Sequence, residues 1–334
     1  MDDPQRVAGI VASLLELLDE PARSGALRAM GQDAGSGLDA LEAATAQILA
    51  ADRSRRTLVE ERTFQLDMVL DILSSRDRAA AEQAEWDFAA DLQTAGLPQD
   101  FPAFPGRTDF DLHAGMITAK EVGGDLYDFF LLSEHRLGFV VADAAGKGLP
   151  AAIFITLART LLRAAAERQP EPGACLDTVN AMLCIRNDAM MFATAFYGVL
   201  DTRSGEIHYS NAGHNPPYLL RCAPESSSAV ETVAGARAPG LGMSDEARFR
   251  TQAIQLLPGD TLVCFSDGVT EATNDRKVLF GETRLVELLA ANARLSPIEL
   301  LVAIVAEVDA FTGLAPIADD MTLLVLRYNG SAGT

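Results

Sequence analysis

The 334-residue chain is short of basic residues, histidine, cysteine and tryptophan. Lys and Arg number 27 against 47 Asp and Glu, a formal net charge of −20. So acidic a surface repels the nucleic-acid backbone and anionic lipid, so no nucleic acid and no membrane is expected as a partner. For most of these acids a solvated surface is role enough. The four cysteines, Cys175, Cys184, Cys222 and Cys264, form no CxxC pair, and none stands at zinc-ligand spacing from a histidine. They predict reduced thiols and a cytoplasmic location, with Cys264 of the run LVCF a small core residue. No uninterrupted apolar run reaches the roughly 18 residues of a membrane span. The start, MDDPQR, has no basic n-region of a signal peptide.

What is present is the composition of a globular protein, 49% hydrophobic and 22% charged, long enough for two domains or one large one. Residues 1–95 read as helical. Val7, Ile10, Val11, Leu14, Leu15 and Leu18 make one stripe, and Leu58, Leu66, Val69, Leu73, Ala80 and Ala84 recur at a loose 3–4 spacing. A helical bundle, a coiled-coil dimer and a hairpin folded within one chain all fit that pattern. We read residues 1–95 as an all-α regulatory or dimerisation region ending in a linker helix. Residues 96–108, which include GLPQDFPAFPG, read as a linker rich in proline and glycine, and 109–330 as a second domain.

In the second domain the texture changes to short apolar runs between turn signals. LHAGMITA, DLYDFFLL, RLGFVVADAA, MFATAFYGVL, GEIHYSNA, PPYLLR, TLVCFS and MTLLVLRY predict strands, and DTRSG predicts a hairpin-type turn. Helices are expected over Leu149–Arg168, Pro172–Arg186, Glu282–Ala293 and Pro297–Phe311. Antiparallel strands with helices grouped in pairs indicate a layered α+β sandwich.

Acids stand where these strands meet turns. Asp125 follows Gly123-Gly124, Asp143 ends GFVVAD, Asp267 ends LVCFSD before Gly268, and Asp319-Asp320 open DDMTLLVLRY. Taken singly, each reads as a turn or capping aspartate. Taken together, buried carboxylates without basic neighbours predict a bound cation, because an unpaired buried charge is costly. Oxygen-only donors favour Mg²⁺ or Mn²⁺ over zinc. Asp128 has two readings of equal weight, holding a metal-bound water or capping its strand.

KEVGGDLYDFF, VADAAGKGLPAAIF, FATAFYGVLDTRSGEIHYSNAGHNPPYLL, PGLGM, LPGDTLVCFSDGVTEATN and DDMTLLVLR occur in that order. As an ordered set over Asp109–Tyr328, they resemble the PPM/PP2C-type serine/threonine phosphatases of the bacterial SpoIIE/RsbU branch. The resemblance implies a four-layer αββα sandwich with a dinuclear Mn²⁺ or Mg²⁺ site at one edge. By position it assigns Asp125 and Asp143 as ligands from the first half, Asp143 bridging both ions and the Ala144 carbonyl adding a ligand. Asp267 and Asp319 come from the second half, with Asp320 the alternative to Asp319. It also implies a metal-activated water attacking phosphorus in line, without a covalent intermediate. The eukaryotic branch carries a histidine at the position of Ala145, so that general acid is missing. His214 reads as a turn-stabilising residue, and His135 and His208 as surface or strand residues. Lys120 and Lys147 are the near candidates for phosphate contact, Lys147 reading mainly as a helix-start surface residue. AAGKGL is not a P-loop, because Gly148 follows the lysine. The expected substrate is a phosphoserine or phosphothreonine on a STAS-domain anti-sigma factor antagonist, with a homodimer through the N-terminal helices. The alternative is a pseudophosphatase acting as a binding scaffold.

Overall fold

Side chains alternate along β3 (Arg136–Ala144), and both faces of the strand are covered. Leu137, Phe139 and Val141 enter one apolar core, while Val140, Ala142 and Ala144 enter another. A strand buried on both sides needs a layer above and a layer below. In this computed structural model the described residues are 83–222, 230–236 and 238–330. The chain divides into two compact units, Met1–Gln83 and Ala84–Thr334, and the second is described here. The helices expected before residue 83, and any dimer seam on them, lie outside the described residues.

One sheet has the order β2 (Asp125–Ser133), β3, β4 (Ala193–Asp201), β5 (Glu206–Ala212), β8 (Gln252–Gln255). The other runs β1 (Phe110–Ile117), β10 (Met321–Tyr328), β9 (Thr261–Phe265), β6 (Tyr218–Leu220), β7 (Val230–Thr232). Every strand pairing is antiparallel. Helices α2 (Leu149–Ala166) and α3 (Pro172–Cys184) cover the first sheet, and α5 (Gly281–Ala291) and α6 (Pro297–Thr312) cover the second. A helix over 83–96, α1, precedes them, and a single turn, α4 (Asp267–Thr270), follows β9. The result is the expected αββα sandwich, with its central core between the sheets.

Local sequence explains the element ends. Ser296 and Glu299 form a reciprocal capping box, Pro297 opens α6, and Gly313 closes it with φ 61°. Asp201 accepts hydrogen bonds from the Arg203 and Ser204 amides in the DTRSG turn, which joins β4 to β5 as expected. Three of the expected helices run two residues beyond the observed ends, and the one expected over Pro297–Phe311 stops one residue short of the end of α6. The short strands β7 and β8 were not expected. Proline-rich residues 97–109 are packed, with Phe101 and Phe104 against Phe129 and Phe104 also against Phe110. By length and composition α2 could cross a membrane. Ala151, Ile155, Ala158 and Leu162 are instead buried against the first sheet, as in the core helix of a globular domain.

Candidate active site

The hairpin β2–β3 places Asp125 directly opposite Asp143. Like charges facing each other across a ladder are destabilising, so this pair is not there for stability. Both belong to the side of the strands that faces the inter-sheet core, in register with Tyr127 and Val141. The second sheet meets them at the same end. Asp267 opens α4 just after β9, and Asp319 and Asp320 precede β10.

Asp125 is 3% exposed, and among the described residues its Oδ2 has no hydrogen-bond partner. Burial first, and the Asp143 charge second, hold its carboxyl well above the usual carboxylate range. The hydroxyls of Ser266 and Thr322 oppose that shift. Burial, and then the Asp267, Asp319 and Asp320 charges, push Asp143 up to about 7. Burial also raises Asp267, helped by Glu271 and Asp319 and opposed by Lys147. The acids chosen from sequence are thus brought within electrostatic reach of one another. Among the described residues, no three His, Cys, Asp or Glu side chains close into a ready-made metal cage.

The two candidates at the DD pair differ in their partners. Asp320 is 8% exposed and accepts from the amides of Ala119 at 2.7 Å and Gly124 at 2.6 Å. It braces the loop that carries Asp125. Asp319 accepts from the Asp320 amide next to it at 3.0 Å and meets a flexible cation, Lys147 Nζ, at 2.8 Å. That lysine, exposed just before α2 as expected, also donates to the Ala318 carbonyl at 2.5 Å. The double glycine before Asp125 has a steric reason. A Cβ on Gly123 would stand 2.8 Å from Asp320 Oδ2, and one on Gly124 3.1 Å from the Ala144 carbonyl oxygen. Gly268 is tighter still, because its Cβ would lie 2.0 Å from the Asp320 carbonyl oxygen. Ala144 donates its amide to the Gly124 carbonyl at 2.9 Å, holding the two acid-bearing strand ends together.

Other residues take structural roles. Asp128 is fully buried on the opposite face of β2, ion-paired with Arg159 at 2.8 Å and Arg163 at 2.6 Å from α2. That corrects both readings made from sequence, because neither a metal-bound water nor a strand cap is needed to satisfy it. Both arginines stand four residues apart on a largely apolar helix, and only the fold brings them to Asp128. His214 is buried, its Nδ1 2.8 Å from Thr194 Oγ1, and burial lowers its pKa to about 4, which fits the turn role. Gln93 of α1 was missed altogether. Its Nε2 donates to the Gly123 carbonyl at 2.7 Å, and its Oε1 accepts from the Gly123 amide at 3.1 Å. No local pattern marks this clamp.

An all-carboxylate cluster with an orphaned buried oxygen and an ammonium group resting on one member is a donor set that fits hard divalent cations. The fold is that of PP2C-like phosphatase domains. It matches the SiaA-PP2C domain of Pseudomonas aeruginosa with a TM-score of 0.66 and 26% identity, over 75% of this chain and 98% of that domain. It also matches the RsbU and RsbW domains of a Mycobacterium tuberculosis protein, with a TM-score of 0.57 and 28% identity, over 68% of this chain and 64% of that one. Residues 133–329 match the family described as Stage II sporulation protein E (SpoIIE), and the chain belongs to that family. The matched stretch holds Asp143, Asp267 and Asp319, and Asp125 lies just upstream of it. Among curated relatives, Phosphoserine phosphatase RsbU of Bacillus subtilis is 28% identical over 249 residues, which is 73% of this chain and 70% of RsbU. Protein IcfG of Synechocystis sp. is 28% identical over 257 residues, 69% of this chain; the chain spans 39% of that longer protein.

Proposed function

We propose that the chain is a metal-dependent protein serine/threonine phosphatase acting on a phosphoserine or phosphothreonine of a STAS-type anti-sigma factor antagonist in the cytoplasm. The observation that carries the reading is Asp125, a buried carboxyl with an unpartnered oxygen, directly across the ladder from Asp143. Burial and the facing Asp143 outweigh the Ser266 and Thr322 hydroxyls there, and a cation would offset both. The relatives RsbU and RsbP are named phosphoserine phosphatases, which supports the class of reaction.

Asp125, Asp143, Asp267 and Asp319, with the Ala144 carbonyl, are the groups that would hold two Mn²⁺ or Mg²⁺ ions. Bound there, such ions supply Lewis acidity for hydrolysis of a phosphoryl ester by water. Asp320 is the second choice as ligand, because its oxygens already accept the Ala119 and Gly124 amides. Its work is to fix the loop that presents Asp125. Lys147 keeps a positive charge at the mouth, where it can release Asp319 and meet a phosphoryl oxygen. Control enters through α1. Gln93 ties that helix to Gly123, two residues before Asp125, so a partner or a dimer formed through residues 1–95 can move the loop.

The test is p-nitrophenyl phosphate turnover in Mn²⁺, in EDTA, and for Asp143→Ala. Wild-type activity should require the metal, and Asp143→Ala should lose at least about 100-fold, the scale of one preorganised electrostatic group. Undiminished turnover by Asp143→Ala sinks the assigned site. One observation favours a second reading, a pseudophosphatase scaffold: Lys147 already occupies Asp319 with an ion pair at 2.8 Å. No turnover by wild type with Mn²⁺ and a phosphorylated STAS partner selects it.

A further inference from the structure

A groove of roughly 530 Å³ lies between the end of edge strand β1 and helix α6 on the second sheet. Its volume is that of pockets that take small ligands or side chains. Met116, Ile117, Leu301, Val302 and Val305 give it an aliphatic lining, and among the described residues no Lys, Arg or His lines it. Val302 is 55% exposed there, and the neighbouring Ile317 46%. One end reaches the candidate active site, because Gly268 and Asp319 line the groove as well. Among the described residues, the charged groups on its walls are the carboxylates of Asp309 and Asp319, the latter paired with Lys147.

These features limit what can lie in it. The phosphate itself is disfavoured along the apolar walls, where no cation of the described residues meets it and Asp309 repels it, Lys147 standing only at the Asp319 end. A segment continuous with a phosphate held at the acids would, however, run directly onto this apolar surface. We propose that the groove docks the residues flanking the phosphorylated side chain of the protein substrate, and selects apolar, non-acidic side chains there. The inference rests on the phosphatase reading for the origin of its occupant. It adds a specificity surface that the acid cluster cannot provide, since the phosphate looks alike on every substrate.

The experiment uses the full chain and paired peptides with either Leu and Ile or Ser and Gln around one serine. Binding of the fluorescein-labelled serine forms is measured by anisotropy in EDTA. Hydrolysis of the phosphoserine forms is measured in Mn²⁺ and expressed relative to p-nitrophenyl phosphate. Wild type should bind the apolar peptide at least tenfold more tightly than the polar one, and hydrolyse its phospho form with a matching preference. Val302→Asp and Ala306→Asp, both on exposed α6 positions, should each reduce that preference at least fivefold in both assays. Equal handling of the two peptides by wild type overturns the proposal, as does a preference that survives both substitutions. If Val302→Asp shifts sedimentation from dimer to monomer without changing peptide binding, the groove is a contact between copies and the proposal falls. Peptide preference in anisotropy without any Mn²⁺-dependent turnover leaves the groove standing and removes the phosphatase reading.

Discussion

The two faces of strand β2 treat a buried carboxylate in opposite ways. Three residues apart, Asp125 and Asp128 project to opposite sides of the sheet. On the helix side, Asp128 meets two guanidinium groups and its own neighbour's amide, Phe129 N at 2.8 Å. On the inter-sheet side, Asp125 meets Asp143, and its Oδ2 has no partner. The first environment satisfies its charge from within the chain, so it serves the fold. The second sets only the hydroxyls of Ser266 and Thr322 against burial and a facing carboxylate, and folding alone gives little reason to keep such an acid. The lesson is that burial of an acid says little about function until its partners are counted.

The largest expected effect comes from making the helix side resemble the other. Arg159→Ala/Arg163→Ala strips both partners from Asp128. Removing the partners of a buried ion pair costs about 3–5 kcal/mol. The double variant should therefore melt well below wild type in a thermal scan, with each single variant losing less because one arginine remains. A loss under about 1 kcal/mol for the double variant would mean that Asp128 is not held as described.

The converse change should stabilise. Asp143 has its pKa raised to about 7 by burial and by the Asp267, Asp319 and Asp320 charges. Its unfolded value is about 3.9. A raised folded pKa means that the stability from its bound proton is full below about pH 4 and is lost as pH rises through about 7. In EDTA, Asp143→Asn should remove that slope and gain on the order of 3 kcal/mol at pH 8 relative to wild type. Mn²⁺ should reverse the order, raising the melting temperature of wild type more than that of the variant. Urea melts at pH 4 and pH 8, with and without metal, give all four comparisons. An Asp143→Asn protein that is no more stable than wild type at pH 8 in EDTA would remove the electrostatic contrast.

Sequence carried much of this, for reasons that can be named. Eight of the strands were legible because alternating or continuous apolar runs end at glycine, proline or aspartate. Asp125 and Asp143, 18 residues apart (143 − 125 = 18), fall opposite each other because a single hairpin joins their strands. Strand β8, QAIQ, was not legible, since half of it is glutamine and it is held by its ladder to β5. The partners of Asp128 were not legible either, lying 31 and 35 residues away on a helix that only the fold brings near. Asp319 and Asp320 looked alike in the chain, and backbone amides from distant loops separate them.

The smallest effect is expected where α1 touches the acid-side loop. The Gln93 amide both gives and takes a hydrogen bond at Gly123, a pairing that only an amide side chain completes in this geometry. It is partly buried at the surface of the domain, so Gln93→Ala should change overall stability by only about 1 kcal/mol. The effect should instead appear in the placement of Asp125. Loss of the clamp frees the Gly123-Gly124 loop, and the half-saturating Mn²⁺ concentration for p-nitrophenyl phosphate turnover should rise about three- to tenfold. That range corresponds to one or two net hydrogen bonds of partial burial. Gln93→Glu separates the two contacts, because its carboxylate still accepts from the Gly123 amide but opposes the Gly123 carbonyl. It should fall at or beyond the alanine variant rather than between alanine and wild type. If both variants titrate with Mn²⁺ as wild type does, the acid-side loop is held by Asp320 alone and α1 has no grip on the site.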